Sequence, residues 1–151
     1  MPDANVETAR GAYESFARGV ELYRAGRVQE WERMAEWDEL YEPDVVLEEL
    51  SEFPDADTYT GVEGIKRWFR AGLETFEDVR WEPRDFTARG PCVLADVRGH
   101  FRGGISGADV NIDVTHVFTF RANGRIVGLR GFLDRDAALA FVESAESEGS
   151  P

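Results

Sequence analysis

The sequence holds one cysteine, Cys92, in 151 residues. A lone thiol closes no internal disulfide and builds no metal site by itself, so a reducing, cytoplasmic setting is the plain expectation. No run of about 18 apolar residues occurs, so no membrane-spanning helix is expected. The opening MPDANVETAR has neither a basic nor an apolar region, so no signal peptide is expected. Positive charge is scarce: 17 − 30 gives a formal charge of −13, which disfavours nucleic acid and anionic membranes as partners. The stretch RGGISG lacks the strand–glycine–helix context of a phosphate cradle, and no cofactor is expected. Repeats and linkers are also missing, which leaves one domain over residues 1–151.

What is present is patterned. Val6, Ala9, Tyr13, Phe16, Val20 and Tyr23 recur in steps of three and four, which predicts a helix over Asn5 to Ala25. Asp3 or Asn5 would cap it and Gly26 would end it. A second helix is expected over Val28 to Leu40, with Trp31, Met34 and Ala35 inward and a break at Tyr41-Glu42-Pro43-Asp44. A strand follows from Val45 into Glu48-Glu49-Leu50, then a loop to Tyr59. Thr60-Gly61-Val62-Glu63 reads as a capping box opening a helix with Ile65, Trp68, Phe69, Leu73 and Phe76 inward. Strands are expected over Val79 to Ala88 and Val93 to Arg102. Two more run through ADVNIDVTHVFTFRANGRIVGLRGFLD, joined by a tight Asn123-Gly124 turn in which both residues take positive φ. Asp134 would cap a short last helix carrying Ala138, Phe141 and Val142, with a frayed tail after Ala145. Helices first and antiparallel strands after make this an α+β chain.

Strand side chains alternate with period two. Ala95, Val97, Gly99 and Phe101 therefore oppose Asp96, Arg98, His100 and Arg102. Ile112, Val114, His116, Phe118 and Phe120 share one face of the next strand, and Leu129 and Gly131 one face of the last. The helices cover that apolar face. The other face is either wet or the contact of a homodimer, for which Val117 and Phe132 argue. Gly99 and Gly131 remove volume on the covered face and leave room into which His116 points. His100 lies on the opposite face, so the two histidines share no metal site. The run Glu48, Glu49, Glu52, Asp55, Asp57 is expected to be a solvated loop.

These segments resemble the SnoaL-like group of the nuclear transport factor 2-like superfamily. The resemblance is carried by YEPDVVLEEL, GVEGIKRWFRAGL and DVTHVFTFRANGRIVGLRGFLDRDAAL, and covers nearly the whole chain. It implies a cone: a curved antiparallel or mixed sheet wrapped around N-terminal helices, with an internal pocket. By the ketosteroid isomerase pattern, Tyr41-x-x-Asp44 leads to a base at Glu49, with Glu48 beside it. His116 takes the place of an oxyanion-stabilising acid. The isomerase's principal tyrosine would fall at Gly19, so that donor is absent, and a supporting tyrosine is replaced by Phe69. The acid of polyketide cyclases falls at or near Gly131.

Two readings follow. In the first, the protein is a cofactor-independent isomerase, lyase or cyclase. Glu49 is the base and His116 the donor in proton transfer on a small hydrophobic carbonyl compound. In the second it is a non-catalytic ligand-binding or dimeric accessory domain. Under either, the expected pocket lining includes Phe16, Tyr59, Trp68, Phe69, Val97, Phe101, Val114, Phe118, Leu129 and Gly131. Trp81 and Phe76 are further candidates, and no metal is expected.

Overall fold

The computed structural model describes residues 2–50, 57–103 and 109–149. Glu52 and Asp55 of the acidic run, and most of RGGISG, lie outside those residues.

The first helix, α1 (Pro2–Arg24), starts ahead of both expected caps. It ends as the glycine demands. Gly26 has φ +80°, Arg27 N–H bonds the Leu22 carbonyl and Gly26 N–H that of Tyr23, so a left-handed residue satisfies the last free carbonyls. The second predicted helix is two: α2 (Val28–Glu32) and α3 (Glu36–Leu40). Its cause is Trp37, whose indole N–H bonds the Trp31 carbonyl at 2.7 Å. The two indoles pack edge to face at 5.6 Å. Trp37 is thereby buried and Ala35, expected inward, is exposed.

Strand β1 (Tyr41–Glu48) begins where a break was expected. Pro43 is tolerated because the pairing with the last strand jumps from Tyr41↔Ile126 to Val46↔Gly128, which leaves the proline outside a regular ladder. A short β2 (Thr58–Thr60) lies in the predicted loop. Helix α4 (Gly61–Thr75) enters through Gly61 at φ +76°, and the Thr60 hydroxyl makes no capping bond, so the capping box does not form.

The other strands are β3 (Asp78–Arg89), β4 (Cys92–Arg102), β5 (Asp109–Phe120) and β6 (Ile126–Phe132). The six form one sheet in the order β2-β1-β6-β5-β4-β3. All pairs are antiparallel except β1 with β6, so the sheet is mixed. The β5–β6 turn is wider than two residues. Gly124 has φ +84° and Asn123 no positive φ; Asn123 instead accepts the Arg125 N–H through its side chain, at 3.0 Å. Arg121 clasps Asp44, and the Asn123 amide bonds the buried Glu42, which ties this turn to β1.

The main core lies between α1–α4 and one sheet face, with Trp31, Val45, Ile126 and Phe118 at its centre. A smaller core lies on the other face. There α5 (Arg135–Gly149) sets Ala138 and Val142 against Cys92, Leu94, Val117 and Phe132. Val117 and Phe132, which argued for a dimer contact, are thus covered within the chain. The final helix runs past Ala145, where fraying was expected. Among the described residues no helix is long and apolar enough to cross a membrane.

Candidate active site

Period two along β1 puts Val45, Leu47 and then Glu49 toward the helices; Glu48, at the alternate position, also borders the cavity that Glu49 lines. Glu48 pairs with Arg130 at 2.9 Å. Glu49 lies just past the strand, where its N–H bonds the Asp57 carbonyl at 3.2 Å and fixes the approach of the chain. Leu50 beside it has φ +37°, a strained value for a residue with a side chain. On β5 the same alternation turns His116 to the helices, and on β4 it leaves His100 outside, between Asn111 and Glu82.

Glu49 and His116 line one cavity of about 400 Å³. The lower end of the range for small-molecule sites is about 300 Å³. Its wall is mostly hydrocarbon and aromatic. Phe16, Tyr59, Trp68, Phe69, Phe101, Val114, Leu129 and Gly131 stand in it, as do Trp81 and Phe76. Val97 and Phe118 do not: Val97 is packed in the main core, and Phe118 borders a separate void of about 40 Å³ behind His116. The two expected glycine gaps differ. A side chain at Gly131 would meet the Leu50 backbone at 3.3 Å, so bare backbone forms cavity wall there. At Gly99 the space is already filled, with a Cβ falling 2.7 Å from the Trp81 ring and 2.8 Å from that of Phe101.

The two titratable groups are tuned in opposite ways. Partial burial pushes the Glu49 carboxyl above its ordinary range, and the nearby Asp57 adds to this; a hydrogen bond from Trp68 opposes them. Burial lowers the His116 imidazole to about 4, so it is neutral near pH 7. A carboxyl group and a neutral imidazole thus face the same apolar space.

Sequence reasoning missed two neighbours of His116. The Tyr13 hydroxyl lies 2.7 Å from Nδ1, and its ring stacks on the imidazole at 5.9 Å. Trp81 packs edge to face on the other side at 4.9 Å. Tyr13 sat in the helical stripe and read as core; its partner is 103 residues away. At Gly19, where the isomerase pattern has its tyrosine and this chain lacks that donor, a Cβ would come within 3.1 Å of Phe69 and 3.2 Å of Trp31, so the position is tightly packed. Among the described residues no three His, Cys, Asp or Glu side chains gather as for a metal ion.

The SnoaL-like domain profile matches residues 9–129, from the first turns of α1 into β6. The chain belongs to the SnoaL-like domain family. Similar solved structures agree with the SnoaL-like fold. One is a proposed SnoaL-like polyketide cyclase from a Jannaschia species: 18% identity, TM-score 0.68, 100% of this chain and 96% of that one covered. Another is IdmH, a proposed polyketide cyclase from Streptomyces antibioticus: 20% identity, TM-score 0.64, 90% and 96% covered. A third is an NTF2-like protein of unknown function from Burkholderia pseudomallei: 20% identity, TM-score 0.64, 92% and 97% covered. At these identities the likeness establishes the fold alone. No curated protein sequence matches the chain significantly. The SnoaL-like match ends before Gly131, Phe132 and α5, so the second core lies partly outside it.

Proposed function

We propose that this SnoaL-like protein binds a small hydrophobic carbonyl compound and catalyses proton transfer on it without a cofactor. The observation that supports this best is the pairing of Glu49 and His116 on one apolar cavity. Glu49 takes a proton from the carbon next to the carbonyl. The electron pair moves onto the oxygen, and the His116 N–H stabilises the enolate. The carboxylic acid then returns the proton at another carbon, which is isomerisation. Alternatively the enolate carbon attacks a second carbonyl of the same molecule and the Glu49 carboxylic acid gives its proton to the resulting alkoxide, which is cyclisation; loss of water is a separate, later elimination. The cyclase assignments of two structural neighbours belong to those proteins; here they favour the cyclisation branch.

The test is hydrogen–deuterium exchange at the α-carbon of 1-indanone, read by proton NMR. Wild type is expected to accelerate exchange, and Glu49→Gln to lose about a hundredfold or more of that acceleration. Equal rates remove Glu49 from the mechanism. The filled space at Gly19, which leaves no place for a second oxyanion tyrosine, favours a second reading: ligand binding without turnover. Saturable binding of the ketone with no accelerated exchange selects it.

A further inference from the structure

We propose that Tyr13 is a positioning residue that holds His116 in the tautomer with hydrogen on Nε2, so that the cavity selects ligands offering an oxygen acceptor. This rests on the cavity being the functional site and narrows what it takes.

Tyr13 and His116 are 2.7 Å apart at Nδ1, and both sit in hydrocarbon surroundings. Burial raises the Tyr13 hydroxyl well above 10.0 and lowers His116 to about 4, so near neutral pH the pair is uncharged. An uncharged pair has two arrangements. In one, the Tyr13 O–H donates to Nδ1 and the imidazole hydrogen is on Nε2. In the other, Nδ1–H donates to the tyrosine oxygen and the tyrosine proton must go elsewhere. The Tyr13 hydroxyl makes no second hydrogen bond among the described residues; Tyr41 acts on it electrostatically and lines the same 40 Å³ void. That proton would need a water in this void, whose walls are mainly hydrocarbon. Left alone, a buried donor loses its water without replacing it, which is unfavourable. The first arrangement leaves nothing on Tyr13 unmet.

That places a hydrogen on Nε2, which meets no acceptor among the described residues, on a ring that lines the cavity. The neighbouring Trp81 indole N–H is buried and also lacks an acceptor among the described residues. The end of the cavity at His116 is therefore a donor without a mate. Glu49, beside Glu48 in the lining, carries negative charge when ionised and has Asp57 nearby, which disfavours an anionic ligand. The chemistry that fits is an uncharged molecule with a carbonyl or ether oxygen.

The experiment is a long-range proton–nitrogen correlation spectrum of protein labelled with 15N-histidine at pH 7. The chain has two histidines, and loss of one signal set in His116→Gln assigns the other. Wild-type His116 is expected to show protonated Nε2 and bare Nδ1, and Tyr13→Phe to turn this into a tautomer mixture. A wild-type ring protonated at Nδ1, or a tautomer unchanged in Tyr13→Phe, overturns the proposal. Should Tyr13→Phe not fold, the wild-type spectrum still decides. Titration adds the ligand side: 1-indanone is expected to bind about tenfold more tightly than indane, the same skeleton without the oxygen. A ketone held no better than the hydrocarbon counts against it. None of these readouts needs turnover. A correct tautomer and ketone preference without exchange would reject catalysis while leaving this role of Tyr13 standing.

Discussion

The two titratable groups give the site a definite pH behaviour. If Glu49 is the base, the acid limb of kcat/KM lies above the ordinary carboxylate range. Asp57→Asn removes a neighbouring negative charge and should move that limb to lower pH. Trp68→Phe removes the opposing hydrogen bond and should move it higher. A pH–rate profile of the three proteins checks both directions. His116 affects stability instead. Its folded value of about 4 lies below the unfolded 6.5, so between these the unfolded chain binds a proton that the folded one does not. Stability is fully present above pH 6.5 and falls as pH drops toward 4, by up to about 3 kcal/mol. Urea unfolding across that window should show this slope, and His116→Gln should lose it. Of the two groups, His116 was legible from parity alone, as one polar side chain in an apolar run. Glu49 was legible by resemblance, with Glu48, which pairs with Arg130 and also borders the cavity, as a rival. Tyr13 was not legible, because a hydroxyl whose partner is distant in sequence leaves no local pattern.

At the scale of elements, the sheet's alternation carried most of the fold, since strand parity depends only on sequence spacing. The misses came where a long-range contact overruled a local signal: Trp37 splitting a helix, Pro43 admitted by an irregular ladder, and a last helix that continues because it covers a second core. That core makes a prediction. Phe132→Ala empties a buried ring site beneath α5 and is expected to cost about 3–5 kcal/mol in denaturant unfolding. On the other face, Gly99→Ala forces a methyl against Trp81 and Phe101, with an expected loss of about 1–3 kcal/mol. Because Trp81 rests on His116, the same change should shift the His116 ring signals. A silent spectrum would show that Trp81 absorbs the methyl without moving.

At the scale of the molecule, what remains of the outer face is charged. Cross-strand rows join Glu82, Arg98 and Asp113, then His100 and Asn111, then Arg102 and Asp109. Exposed pairs of this kind are worth little and are screened by salt. Any dimer formed through this face is expected to dissociate as ionic strength rises, which sedimentation velocity reads directly. A dimer indifferent to salt would place the contact elsewhere.

The free margin at β3 carries Pro83 and a register shift between Pro83 and Asp85, which discourage strand addition there. The parallel pairing of β1 with β6 has a consequence in time. Leu47 lies beside Leu129, so the carboxylate end of the hollow is shaped by chain made some eighty residues later. A ribosome must release the chain through β6 before the chamber can close. No amino-terminal fragment would hold a ligand, and the chamber's assembly should be among the later events of folding.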